Sequence, residues 1–219
     1  KISGKGLEIG AFEHPACLPE NCEVVYCDVI SNEEAKAFFP EVNHTSLVSV
    51  DQIIDLDHEG LKIFEDSSQD FVIINHVIEH LFDPISAIVE CFRVLRPNGF
   101  LILSVPDKRF TFDCNRPLTS NQDIFERVKR IPKEPNPVDY FDMLQFVHPE
   151  LLDESAEVKE DALKGFHRRR EHLNIWTDQS FLSFIDEVLH QKKIKSILTN
   201  KVLSNENQFE FFGIWKKLL

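Results

Sequence analysis

The 219-residue chain is 42% hydrophobic and 28% charged, the composition of a globular protein large enough to bury one sizeable α/β core. Its net charge of −13 argues against a general nucleic-acid binder or an anionic-membrane binder, both of which need cationic side chains facing phosphates. No apolar run approaches the roughly 18 residues that a membrane-spanning helix requires.

The chain opens almost directly on the first strand, and no signal peptide is expected in it. A cytoplasmic domain, trimmed or cut from a longer protein, is the expectation. The cysteines are Cys17, Cys22, Cys27, Cys91 and Cys114, without a C-x-x-C pair. Reduced thiols are expected, not a zinc site or a disulfide framework.

In chain order, Lys5-Gly-Leu-Glu-Ile-Gly10 is a short apolar run ending in an acid and a glycine. It reads as a buried strand over 6–10 that stops where backbone approaches a ligand closely. Pro15 and Pro19 oppose a full helix in 11–22. Residues 23–28 form a second strand ending in Asp28. Asn32 is placed to cap a short helix from Glu33 to about Phe39, stopped by Pro40. Residues 48–56 contain a third strand, followed by the acidic Asp55-Leu-Asp-His-Glu59. Residues 70–75 are a continuous apolar run, as in a central parallel strand. Asp83 caps a helix with Pro84 at its first position, carrying Ile85, Ile88, Val89, Phe92 and Leu95 at helical spacing up to Arg96-Pro-Asn-Gly99. A fifth strand spans 100–105.

Residues 106–176 break this rhythm and read as an inserted substrate cap. Thr177 caps a last helix to about Gln191, with Phe181, Phe184, Ile185 and Val188 on one face. Segments 193–204 and 209–217, joined by Asn205-Glu-Asn207, read as an antiparallel hairpin. The expected fold is α/β: a Rossmann-like, doubly wound, mostly parallel sheet of about seven strands, with a C-terminal antiparallel hairpin and the cap between the fifth strand and the last helix. The whole chain, 1–219, is taken as one domain.

Such sheets bind ligands at the carboxyl ends of their strands, near a switch in strand order. Glu8 and Gly10 follow the first strand, Asp57 the third, and Asn75 with His76 the fourth. Asp28 ends the second, where a carboxylate can accept both hydroxyls of a ribose. The constellation indicates a nucleoside cofactor. Gly4, Gly6 and Gly10 have the wrong spacing for a dinucleotide fingerprint.

These residues resemble the class I S-adenosylmethionine-dependent methyltransferases. Gly6-Leu-Glu-Ile-Gly10 resembles the family's first motif. Asp70-Phe-Val-Ile-Ile-Asn-His-Val-Ile-Glu-His-Leu-Phe-Asp-Pro84 resembles its fourth-strand signature, and Arg93-Val-Leu-Arg-Pro-Asn-Gly-Phe-Leu-Ile-Leu103 its following helix, turn and strand. The resemblance implies S-adenosylmethionine as cofactor, S-adenosylhomocysteine as product and no metal. It implies cofactor contacts from Glu8, Gly10, Ala11, Phe12, Asp28, Val29, Asp57, Asn75 and His76. Val105-Pro-Asp-Lys-Arg-Phe-Thr-Phe-Asp113 is similar to a bacterial subgroup found beside, or fused to, enzymes of surface-polysaccharide biosynthesis. That similarity implies O-methylation of a sugar or glycan hydroxyl. The partners it implies are a small-molecule or glycan acceptor and other domains or subunits of a glycan-assembly system. Neither nucleic acid nor membrane insertion is expected.

The first motif departs from the family pattern, since Ala11, Phe12 and Glu13 follow Gly10. N-methylation of a small amine, or a degenerate binding module without catalysis, therefore stay open as alternatives. Transfer to a hydroxyl needs in-line placement and a base within reach. The candidate catalytic residues are His76 and Asp107, and the candidate substrate contacts are Lys108, Arg109, His148 and His172, with either histidine also a possible base. Glu79 and His80 are expected to lock the loop by hydrogen bonds. His76-Val-Ile-Glu-His80 matches the letters H-x-x-E-H of a zinc motif, but it leaves a buried strand directly, so no metal is expected. His167-Arg-Arg-Arg170 reads as a solvated helix face, with an anion clamp as the second reading.

Overall fold

Alternating apolar and helical segments place seven strands and seven α-helices in the computed structural model, which describes residues 2–39 and 46–219. The strands are β1 (Gly4–Ile9), β2 (Cys22–Asp28), β3 (Gln52–Ile53), β4 (Gln69–Asn75), β5 (Leu95–Pro106), β6 (Ser196–Val202) and β7 (Glu210–Lys217). The helices are α1 (Asn32–Phe38), α2 (Pro84–Val94), α3 (Asn121–Arg127), α4 (Phe141–Phe146), α5 (Ala156–Arg169), α6 (Asp178–Gln191) and α7 (Ser204–Asn207). They form one sheet in the order β3-β2-β1-β4-β5-β7-β6. The first five strands are parallel, and β7 runs antiparallel to both β5 and β6. This is the mostly parallel, Rossmann-like sheet with a C-terminal antiparallel pair that the sequence predicts. Strand order reverses between β1 and β4, so the crevice for a ligand lies at the carboxyl ends of those two strands.

The period of two along each strand divides the core. Leu7, Ile9, Val72, Ile74, Leu101 and Leu103 pack with Ile85, Ile88 and Phe92 of α2 and with Phe181, Phe184, Ile185 and Val188 of α6. Phe71, Ile73 and Ile102 project to the other face, where Ala16 and Leu18 of the extended segment after β1 cover them. The two prolines hold that segment out of helix, as expected. No helix among the described residues is long and apolar enough to cross a membrane.

Two local expectations are corrected and one is narrowed. Ser31, not Asn32, caps α1: its Oγ accepts from Glu34 N at 3.2 Å, and the Glu34 carboxylate returns to Ser31 N at 2.9 Å. The Asn32 side chain is instead used on the backbone of Val48 and Val50, tying the loop before β3. Pro40, expected to stop α1, lies outside the described residues. The third strand lies within the expected 48–56 but is only two residues long, Gln52–Ile53, with Asp51 N and Ile54 N beside it donating to the Tyr26 and Asp28 carbonyls of β2. The final strands are joined through the short helix α7.

Residues 107–177 contain α3, α4 and α5 linked by 3-10 turns. They are fastened by buried charge rather than by a large apolar core. Arg116, 1% exposed, donates to Asp113, to both oxygens of Asp142 and to the carbonyl of His172. Phe82, Tyr140, Met143 and Leu173 make a small apolar cluster beside it.

Candidate active site

Gly10 opens the crevice. Its φ is +72°, and a Cβ there would meet Val77 Cγ2 at 2.3 Å, so only glycine lets β1 end against the loop that follows β4. Ala11 is buried behind it. Phe12 also has a positive φ; its carbonyl accepts from Val48 N at 2.9 Å, and its ring meets Phe39 edge-on. Glu13 pairs with the exposed His14 at 3.5 Å.

Glu8 is buried, and one oxygen accepts from Ala16 N at 2.8 Å while Oε2 has no partner among the described residues. Burial raises its pKa against that one hydrogen bond. Asp28 ends β2 with Oδ1 accepting from Val29 N at 2.7 Å and Ile30 N at 3.4 Å. No hydrogen bond is formed by its second oxygen among the described residues, which leaves an acceptor at the mouth of the crevice. Asn75 ends β4 with a buried Oδ1 that is likewise unpartnered.

Asp57 is not poised in the same way. Its two oxygens accept from Phe82 N at 3.0 Å and Asp83 N at 2.9 Å, fixing the entry to α2. Asp55 faces inward beside it and pairs with the Arg170 guanidinium. Arg170 therefore leaves the solvated face expected for residues 167–170. It ends α5 in a left-handed conformation, φ 50°, and this turns its side chain toward β3. Arg168 and Arg169 are both exposed and fit the solvated reading, Arg169 pairing with Glu171 at 3.3 Å.

His76 has φ 52° and sits where β4 turns. Its Nε2 lies 2.5 Å from Glu210 Oε2, on β7, and Nδ1 lies 3.5 Å from Glu79 Oε1. Burial opposes the charge on the ring, but the two carboxylates outweigh it and lift its pKa to about 10. The ring is thus a cation that donates, and a base role does not suit it. Glu210 had no local signal in the sequence, because it arrives from the far end of the chain.

Asp107 also departs from expectation. It is fully buried and accepts from Arg109 N, Nε and Nη2, from Asp178 N and from Ser204 Oγ at 2.7–2.9 Å. Burial would raise its pKa, but these donors lower it to about 2. It is a structural knot joining β5, α6 and α7, not a base open to substrate. The Arg109 guanidinium is spent on the same knot, reaching Asp178 at 3.0 Å. Lys108 Nζ is held by the Arg116 carbonyl. His148 pairs with Glu150 and stacks on Phe166 within the α4–α5 layer, not on the crevice residues.

His172 does come to the crevice. It is T-stacked on His80 with centroids 4.8 Å apart, stacked on Phe112, and bonded through Nδ1 to Asp113 Oδ2 at 2.6 Å. His80 Nδ1 bonds the Arg170 carbonyl at 2.6 Å, so it does lock the loop. The Glu79 carboxylate is buried without a hydrogen bond among the described residues, and its charge partner is the His76 ring, Nδ1 lying 3.5 Å from Oε1. It is the backbone carbonyl of Glu79 that accepts from Leu173 N and Asn174 N.

Residues 3–103 match the family model described as a methyltransferase domain. Over 51 residues, or 23% of this chain, the sequence is 49% identical to a protein of Mycolicibacterium smegmatis named a probable S-adenosylmethionine-dependent methyltransferase; the match spans 20% of that relative's length. The fold is similar to the CurJ carbon methyltransferase, at 13% identity and TM-score 0.51, over 98% of this chain and 48% of that one. It is also similar to a protein from Rhodobacter sphaeroides described as a candidate zinc-dependent alcohol dehydrogenase, at 14% identity and TM-score 0.58, over 99% and 85%. At such identities the likeness shows the fold alone, and one fold hosts several chemistries.

Proposed function

We propose that this chain is an S-adenosylmethionine-dependent methyltransferase that transfers a methyl group to a hydroxyl oxygen of a sugar or glycan. The domain match and the curated relative support a methyltransferase using S-adenosylmethionine. The observation that carries the cofactor reading is the set of unspent acceptors at the switch point. Asp28 has a free carboxylate oxygen, Asn75 an unpartnered Oδ1, and Gly10 brings bare backbone beside them. These groups fit a nucleoside with a ribose to receive.

When bound, the cofactor supplies an activated methyl on a positive sulfonium. Asp28 would hold the ribose hydroxyls, with the backbone from Gly10 to Phe12 and Val29 alongside. The acids Glu8, Asp28, Glu79 and Glu210 make this end of the sheet negative, which suits a cationic ligand. Placement of the acceptor then does most of the work. The sugar acceptor rests on the similarity of residues 105–113 to the polysaccharide-associated subgroup, and the segment 106–176 is its proposed cap.

Calorimetric titration with S-adenosylmethionine and S-adenosylhomocysteine, with NAD as control, tests the first part. Micromolar binding of either adenosyl ligand is expected. No binding by folded protein overturns the reading. A screen of sugar acceptors with labelled methyl donor tests the second part.

A further inference from the structure

The buried carboxylate of Glu79 faces more than the His76 cation. It is 0% exposed, and neither oxygen finds a hydrogen bond among the described residues. A buried carboxylate is costly unless it is paired or ligates a cation, and the one imidazolium beside it, His76 Nδ1 at 3.5 Å from Oε1, is shared with Glu210. Two further imidazoles, His80 and His172, face the Glu79 carboxylate. One ligand atom each from Glu79, His80 and His172 lie within 4.8 Å of one another, and His80 Nε2 is 3.9 Å from Glu79 Oε1.

The hydrogen bonds behind these rings decide which nitrogen is presented. A backbone carbonyl only accepts, so His80 Nδ1, 2.6 Å from the Arg170 carbonyl, carries the proton. The Asp113 carboxylate does the same for His172 Nδ1 at 2.6 Å. Both rings are thereby left with Nε2 as the free nitrogen. A carbonyl or carboxylate behind Nδ1 is the usual outer support of a metal-binding histidine, fixing tautomer and orientation. The supports are themselves anchored. Asp113 is held by the buried Arg116, and Asn174 Nδ2 donates to the carbonyls of Ile78, Glu79 and Leu81. The chain bearing His172 is therefore pinned against the chain bearing Glu79 and His80.

We infer that Glu79, His80 and His172 form a binding site for a divalent first-row transition ion. Two imidazoles and one carboxylate, with remaining positions open, suit zinc or ferrous iron better than magnesium. Ligand atoms around such an ion stand about 3 Å apart, so small side-chain rotations close the site. The sequence could not show it, since it offered only His76 and His80, whereas His76 turns to Glu210 and His172 enters from 92 residues beyond His80. An open position beside β4 would accept a hydroxyl oxygen. That use rests on the methyl-transfer reading; the ion binding does not.

Metal-stripped full chain is titrated with Zn²⁺ and Co²⁺, with Mg²⁺ as control, and Zn-loaded wild type is examined by X-ray absorption. The expected result is one Zn²⁺ per chain with micromolar or tighter affinity. The expected zinc shell holds two imidazole nitrogens and a carboxylate oxygen, without sulfur. Affinity should fall at least about tenfold in His172→Ala, and about tenfold in Asp113→Asn through lost positioning, while His148→Ala binds normally. Absence of micromolar binding by folded wild type, a shell containing sulfur, or unchanged affinity in folded His172→Ala overturns the inference. The absorption spectrum of wild type decides the matter even where a variant does not fold. Binding of S-adenosylmethionine is measured on the same samples, so failure of the metal site and failure of the methyltransferase reading are separate results.

Discussion

Asp28 holds two backbone N–H groups on one oxygen and presents the other. Removing a charged acceptor from a ligand hydroxyl costs about 2 kcal/mol, roughly thirtyfold in affinity. Asp28→Ala should therefore weaken S-adenosylmethionine binding by that order while circular dichroism stays native. Affinity unchanged in the variant would remove Asp28 from the site. Asp107 makes a different prediction. Its carboxyl is held at about 2 in the folded chain against an ordinary 3.8. A depressed carboxyl stabilises the fold above its unfolded pKa, and that contribution is lost as pH falls toward the folded value. Melting temperature should drop between about pH 4 and pH 2, and Asp107→Asn should be less stable at neutral pH with a shallower acid decline. A variant with the wild-type profile would show that the knot of Asp107, Arg109, Asp178 and Ser204 contributes nothing.

At the level of elements, the entry to α2 is set by two acids in series. Asp83 caps the helix by accepting from Ser86 N at 2.8 Å, and Asp57 accepts from the backbone of Phe82 and Asp83. Asp57→Ala strands two N–H groups and should cost about 2–3 kcal/mol in urea unfolding. Its effect on cofactor affinity should stay small. Intact stability with lost affinity would instead return Asp57 to the ligand role implied by the sequence. The segment 107–177 is organised on the same principle. Arg116 is buried among carboxylates and a carbonyl, and removal of one partner from such a cluster is more damaging than its net worth suggests.

Across the whole molecule, charge is the dominant long-range term. A net charge of −13 repels itself, and the acids Glu8, Asp28, Glu79 and Glu210 converge on one end of the sheet. Raising monovalent salt from about 10 mM to about 150 mM shortens the screening length from roughly 30 Å to 8 Å. The melting temperature should therefore rise over that range, as followed by scanning calorimetry. A fall would mean that attractive surface pairs outweigh the repulsion. The same field should speed the arrival of a cationic ligand and make its association rate fall with salt.

Local chemistry determined much of this protein in advance. Strand β4 was legible because 70–75 is unbroken apolar sequence, α2 because Asp83 and Pro84 start it, and α6 because Thr177 caps it. Gly10, Asp28 and Asn75 could be placed at strand ends because strand boundaries are local. The identity of partners was not local. Asn32 and Ser31 are both acceptable caps by type, and only the loop at Val48 and Val50 decided between them. Lys108 and Arg109 looked free beside β5, yet the carbonyl of Arg116 and the carboxylates of Asp107 and Asp178 had already claimed them. Glu210 reached His76, and His172 reached Glu79, across separations that no motif spans. A hydrogen bond or ion pair depends on distances of a few ångströms, and those are set by the packing of distant segments, not by sequence spacing.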